Sequence, residues 1–309
     1  MNNWEDFSDL EKACTKELSE QSLEFYSRAM FRFQEGSRMK ENWHIGLICE
    51  ELQKIETGET ENLIINLPPG GGKTHIASVC FPSRGIAIEP RSRYLVVSYS
   101  NDLVKDISTR VRDLVFEGDE FQQMWSVQSS RDSNEKSHWQ ILNSRGKKSG
   151  AFKCASSGGS ITGFRAGKLH IDKYYGCLIL DDPNKPADML TERKRTNSNE
   201  VWNTIRTRLA SPKTPIVLIQ QRLHDDDATG CKLAKMKCVE DLGWCKTWVN
   251  RTGGGKKWKQ IIIPALIDDE FVSKLPQKWR NRVTGPLYGT DSQGRYSYWP
   301  EKETLDILL

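Results

Sequence analysis

At 309 residues the chain is long enough to bury one large core or two smaller ones. With 37% hydrophobic and 28% charged residues, and no apolar run near the roughly 18 residues that span a bilayer, it reads as soluble, with no membrane partner. A net charge of +4 permits a nucleic-acid partner without arguing for one, and the acidic start MNNWEDFSDLEKAC is not what a signal peptide requires.

The elements follow in chain order. Apolar positions at three- and four-residue intervals predict a helix over residues 9–32 and a second over 41–56. NLIINL is a short apolar strand, and a glycine-rich loop follows it. The stretch THIASVCFPSRGIAI begins as helix, and RYLVVSYS is a strand. Asn101 is placed to cap the helix DLVKDISTRVRDLVFE. HWQIL and AFKCASS read as two strands joined by the polar turn NSRGKKSG. GCLILDDP is a strand ending in two carboxylates, MLTERKRTNSNEVWNTIRTRLA a helix and TPIVLIQQR another buried strand. Buried strands separated by helices predict an α/β fold with a mainly parallel, doubly wound sheet. RTGGGKKWKQ, at 251–260, reads as a flexible basic loop, and from about 268 the alternation is lost in a Pro-, Gly- and aromatic-rich segment. Three parts are expected: a helical segment 1–60, a core 61–267 and a lid or linker 268–309.

The eight cysteines are scattered, with no CxxC pair, and read as reduced thiols of a cytoplasm. Cys231, Cys238 and Cys245 recur every seven residues near His224. They are either a zinc site or half-buried thiols, and the wide spacing favours thiols.

The segment ENLIINLPPGGGKTHIASVC, 61–80, has the order strand, glycine-rich turn, helix. Such a turn aims backbone N–H groups at anionic oxygens, and the helix N-terminus adds a favourable dipole. Pro69, Gly70, Gly71, Gly72, Lys73, Thr74 and His75 are the candidate nucleotide-binding residues. In the Walker A pattern the lysine reaches the β- and γ-phosphates and the hydroxyl meets Mg²⁺, roles for Lys73 and Thr74. The pattern usually opens with glycine, where this chain has Leu67. A glycine-rich turn that merely caps a helix is the plainer alternative. CLILDD supplies the second half of an ATPase: Asp181 to hold Mg²⁺ through water and Asp182 to polarise the attacking water, a task more often given to Glu. Phosphoryl transfer is mostly positioning and charge neutralisation, so these groups suffice.

The chain resembles the ATPase region of the large terminase subunits of tailed bacteriophages, the DNA-packaging motors. The resemblance rests on LIINLPPGGGKT, GGSITGFRAG, LILDDPNKPADM, QQRLHDDDATG, IIIPAL and YWPEK, in that order, over most of residues 20–309. It implies a P-loop NTPase fold of the additional-strand, catalytic-glutamate type, using ATP and Mg²⁺. It also implies a homo-oligomeric ring, expected to be a pentamer, around double-stranded DNA, with the procapsid portal protein and the small terminase subunit as partners in a host cytoplasm. Lys73 and Thr74 match the phosphate and magnesium ligands, Asp181 the second-motif metal ligand and Asp182 the catalytic carboxylate. Arg165 matches an arginine that reaches into a neighbouring subunit's site; a surface arginine is the alternative. Gln221 lies where a coupling residue, often Thr, would sit, followed by Arg222 and His224. Two departures stand out: the stretch between Arg165 and Asp181 is long for the family, and the chain reaches Leu309 before the family's nuclease. The expectation is an ATPase part of a longer protein, without DNA cleavage. In HDDDA, coupling or an acidic helix N-terminus is expected rather than a metal nuclease.

A motor that moves DNA must touch phosphates without reading sequence. Arg145, Lys147 and Lys148 on the NSRGKKSG turn are the candidate contacts, with Arg206, Arg208, Lys256 and Lys257 behind them; each could equally be a solvated charge. Trp43 and His44 are candidates for a base pocket or for ordinary core packing. The rival readings are a helicase-like ATPase, which would need a second ATPase-like domain, and a nucleotide-gated DNA-binding assembly module with little turnover.

Overall fold

The structure is a computed structural model. It describes residues 4–157, 161, 163–169 and 173–309, those at 131–134, 201 and 206 by backbone alone. Most of the GGSITGFRAG segment's first half therefore lies outside the described residues; Arg165 lies within them.

The strands are β1 (Asn62–Asn66), β2 (Arg93–Ser98), β3 (Gln128–Glu135), β4 (His138–Leu142), β5 (Lys148–Ser156), β6 (Leu178–Asp181), β7 (Ile216–Gln220), β8 (Met236–Asp241), β9 (Cys245–Asn250), β10 (Trp258–Ile262), β11 (Leu266–Ile267) and β12 (Tyr296–Ser297). Ten of them form one sheet in the order β3-β4-β5-β2-β6-β7-β1-β10-β9-β8. From β5 to β10 every pairing is parallel, and antiparallel hairpin strands extend both edges. Strand β7 intervenes between β1 and β6, the inserted strand that the additional-strand fold type requires. The parallel strands read as continuous apolar runs because both faces are covered. Leu63, Ile65, Ile179 and Val217 enter one core; Ile64, Leu178, Leu180 and Leu218 enter another on the opposite face.

The first core lies under helices α1 (Asp9–Gln21), α2 (Leu23–Glu35), α3 (Trp43–Thr57), α4 (Phe81–Ile88), α5 (Asn101–Phe116) and α6 (Asp119–Trp125). The single helix expected over 9–32 is two. Ser22 ends the first and caps the second, its Oγ accepting from the Phe25 N–H at 3.2 Å. At α5 the cap is Ser100, one residue before Asn101, with its Oγ 3.4 Å from the Leu103 N–H. The helix expected after the paired aspartates breaks into Glu192–Asn199, Val201–Ile205 and a 3₁₀ turn, Arg206–Arg208. Asn184 draws on Ser198 and Asn199 at that break, where TNSN supplies weak helix formers. The basic loop expected at 251–260 ends earlier than its composition indicates, because β10 begins at Trp258.

Before α4 the chain winds as a π-helix, His75–Cys80. Pro82 offers no N–H and would crowd the carbonyl of Ser78 in a regular α-helix. The wide turn accommodates it, and the Phe81 N–H reaches back to the Ile76 carbonyl.

Residues 268–309 share the first core, through Leu275, Trp279, Tyr296, Tyr298 and Trp299. Trp279 lies so close to Gly46 of α3 that a Cβ there would meet its ring at 2.4 Å. Among the described residues no helix is long and apolar enough to cross a membrane.

Arg84 of α4 locks the N-terminal helices onto this frame. It is 3% exposed, pairs with Glu56 at 2.5 Å and donates to the carbonyls of Ser19 and Glu20. Replacing it leaves a carboxylate and two carbonyls short of donors. Arg84→Met is expected to destabilise the fold by about 3 kcal/mol, read as a lowered urea midpoint; a loss well under 1 kcal/mol would contradict this role.

Candidate nucleotide site

The loop after β1 sits at the carboxyl ends of the parallel strands, where ligands bind in open α/β sheets. Gly70 and Gly72 take φ of +77° and +78°, a region closed to most side chains. At Gly71 a Cβ would meet Leu67 Cδ1 at 2.7 Å. Leu67 itself is 3% exposed and belongs to the first core. The position where glycine was expected is thus an anchoring apolar plug, and the bends fall later, at Gly70 and Gly72.

Lys73 is 7% exposed, and its Nζ stands 2.9 Å from Asp182 Oδ2. Asp182 Oδ1 accepts the Gln221 N–H at 3.1 Å. The Asp182 carbonyl takes the Tyr99 N–H at 3.2 Å. Asp182 sits at φ +43°, a conformation that Asp tolerates better than most and that gathers at functional sites. Between them Asp182 links the ends of β1, β2, β6 and β7.

Asp181 is fully buried. Thr74 Oγ1 donates to its Oδ1 at 3.2 Å and Ser78 Oγ to its Oδ2 at 2.7 Å. Burial, then the neighbouring Asp182 charge, push its pKa up to about 6, against the pull of Ser78, Thr74 and Lys73. A buried carboxylate so disfavoured as an anion calls for a cation. The donor set, hydroxyl and carboxylate oxygens, fits Mg²⁺, which prefers hard oxygen ligands and keeps places for phosphate and water. Ser78 was not singled out in the sequence, although Thr74 and Ser78 are four apart on one helix and share a face.

The other predicted residues separate. The ring of His75 turns from the loop to Arg110, whose Nη2 stands 2.9 Å from its Nδ1, and to Cys80 Sγ at 3.3 Å. Burial, then Arg110, lower its pKa to about 4. Pro69 is exposed on the loop's rim. Gln221 reaches Asp182 through its backbone. Arg222 is spent locally: its Nε pairs with Asp227 Oδ2 at 2.8 Å, while Asp227 Oδ1 caps the helix Ala228–Leu233. The HDDDA run is thus a helix start. Among the described residues no three His, Cys, Asp or Glu side chains gather as a metal site.

Arg165 is exposed. Its neighbours Ala166 and Gly167 bond to Arg208 and to the carbonyl of Arg93, at the amino end of β2. The glycine-rich loop lies at the opposite end of the sheet from this segment. Arg145, Lys147 and Lys148 are all exposed. Their turn is fixed by Asn143, whose Oδ1 accepts the N–H groups of Arg145 and Lys147, each at 3.0 Å.

His44 and the C-terminal segment frame the loop. His44 is fully buried, held neutral by burial with a pKa near 4, so its Nε2–H donates to the Gly71 carbonyl at 3.0 Å. Tyr298 and Trp299 pack on its ring, each with centroids 5.0 Å away. Trp43 gives its Nε1–H to the Tyr298 carbonyl at 3.0 Å. Trp43 and His44 are therefore core side chains steadying the loop, not walls of an open base pocket. Lys302 donates to the Gly70 carbonyl from 232 positions away, a tie with no local signal in the sequence.

No family model matches the sequence, and no curated protein does. Among solved structures the chain is similar to the HK97 bacteriophage large terminase, at 15% identity and a TM-score of 0.45, over 69% of this chain and 41% of that one. It is also similar to a mutant of the large terminase ATPase domain of Thermus phage P74-26, at 13% identity and a TM-score of 0.36, over 62% of this chain and 68% of that one. The chain thus spans about two fifths of the HK97 protein's length.

The raised Asp181 pKa makes a signed prediction. The folded chain holds this proton more tightly than the unfolded chain does, so the Asp181 contribution to stability falls as pH rises from about 4 to 6. Asp181→Asn should remove that fall and be more stable than the parent by about 2–3 kcal/mol at pH 7.5, with the gain shrinking toward pH 4. Urea unfolding at both pH values measures it; a variant less stable than the parent at pH 7.5 would contradict the assignment.

Proposed function

We propose that the chain hydrolyses ATP to drive double-stranded viral DNA into a procapsid, as the ATPase part of a phage large terminase. The observation that carries the ATPase reading is the meeting of two separate motifs across the end of the sheet. Lys73 stands 2.9 Å from Asp182, and Thr74 stands 3.2 Å from Asp181. The inserted strand β7 between β1 and β6 supports the additional-strand type of site. The ordered motifs, from LIINLPPGGGKT through LILDDP to YWPEK, narrow an ATPase to a packaging motor.

In this reading the γ-phosphate takes Lys73, and Asp182, released from the ammonium, orients the water that attacks in line with the leaving oxygen. Thr74 and Asp181 would hold Mg²⁺, which would supply positive charge to neutralise the phosphate oxygens. Gln221 is placed by the same strand end to sense that change, through its N–H on Asp182. Arg165, exposed and at the opposite end of the sheet from the glycine-rich loop, is suited to a neighbouring subunit's site in a ring. The portal protein and the small terminase subunit are the proposed partners, in a host cytoplasm. The fixed, exposed turn bearing Arg145, Lys147 and Lys148 is the proposed DNA contact.

The test is ATP turnover per chain against protein concentration, beside Lys73→Ala and Arg165→Ala. Turnover should rise with concentration, vanish in Lys73→Ala and fall by about 10³-fold or more in Arg165→Ala. Turnover flat in concentration and indifferent to Arg165 would refute the shared site. Binding without turnover at any concentration would favour the gated module instead.

A further inference from the structure

A second recess lies at the opposite end of the sheet, among residues that precede β1, β6 and β7. It encloses about 640 Å³, the size of a small-molecule site. Lys168, Lys173, Lys213 and Lys256 line it, with Tyr174 and Tyr175. Three carboxylates also line it, and each is engaged. Glu56 pairs with Arg84 at 2.5 Å. Glu89 accepts from Arg91 Nε at 2.7 Å and Nη2 at 2.5 Å. Glu61 accepts the Lys257 N–H at 2.6 Å.

Lys168 and Lys256 are less well served. Lys256 gives one hydrogen bond, to the Thr214 carbonyl at 2.7 Å. Burial pushes its pKa down to about 8, against a weaker pull from Glu61. The Lys168 ammonium lies 5.4 Å from the centre of the Tyr175 ring, and burial, then Arg91, lower its pKa as well. Lys168 and Lys256, drawn together from two separate segments in a concave space where Glu56 and Glu89 are each paired to an arginine, make a site that an anion would complete.

We propose that this recess is a second anion site, distinct from the phosphate loop, which takes a free phosphate-bearing molecule of up to nucleotide size. Lysine ammonium groups suit the spread charge of a di- or triphosphate. A DNA duplex, whose major groove alone is about 12 Å wide, is too broad to enter.

The test is calorimetric titration of the full chain with inorganic pyrophosphate at low salt, in a Lys73→Ala background that weakens the phosphate loop. Binding should weaken at least tenfold on adding Lys256→Gln, and again on adding Lys168→Gln, each removing a charge-assisted hydrogen bond. Lys168 lies outside the strands and helices, so Lys168→Gln decides the matter alone if Lys256→Gln does not fold. Three results would overturn the proposal: no binding at about millimolar pyrophosphate, affinity unchanged by both lysine variants, or lysine-dependent binding of a DNA duplex that pyrophosphate does not displace.

Discussion

Two adjacent carboxylates at the end of one parallel strand cannot both be charged in a dry site unless cations answer them. Asp181 and Asp182 face that constraint at the end of β6, and much of the surrounding architecture follows from it. Lys73 answers Asp182 at 2.9 Å. Thr74 and Ser78 hydrogen-bond Asp181, which still keeps a raised pKa. The pair is thus neutralised on the Asp182 side and short of positive charge on the Asp181 side. In the proposed reading, a nucleotide carrying a metal would supply what each side lacks: phosphate for Lys73 and a cation for Asp181. The same exchange would free the carboxylate proposed to orient water, so that binding and readiness for chemistry would be one event.

The frame that holds these groups is stiffer than a glycine-rich loop implies. Leu67 plugs the loop's start into the core, His44 takes the Gly71 carbonyl, and Lys302 takes the Gly70 carbonyl. The last tie comes from the C-terminal segment, whose Tyr298 and Trp299 pack on His44. Residues that the sequence sets apart as a trailing segment are structurally part of the frame around the glycine-rich loop. Asp182 meanwhile ties four strand ends together, and its unusual backbone conformation is maintained by the neighbours that depend on it.

How far the sequence revealed this depends on the range of the interactions involved. The central strands and the loop were legible because burial on both faces leaves uninterrupted apolar runs, and because glycine, lysine and threonine in that order have few other uses. The two aspartates were legible for the same reason, at the end of such a run. Strands β3, β8 and β9 were not: their mixed, largely polar sequences carry no apolar run, and pairing with a neighbour decides them. Ser100 in place of Asn101, and the break at Ser22, are contests between equally good local caps that packing resolves. The Lys73–Asp182 pair, the His44 contact and the Lys302 tie join residues far apart in sequence, which no local pattern encodes. His75 looked like part of the loop because it follows Thr74, but its ring belongs to Arg110 and Cys80.

The central claim is that Asp182 holds Lys73 until a nucleotide displaces it. The most direct measurement is the affinity of Asp182→Asn for Mg·ATP, set beside its rate of hydrolysis. Freed of its carboxylate partner, Lys73 should bind the nucleotide about tenfold more tightly, while hydrolysis falls by 10²-fold or more for want of the group that orients water. Binding that is unchanged or weaker in Asp182→Asn, or hydrolysis that survives the substitution, would contradict the account.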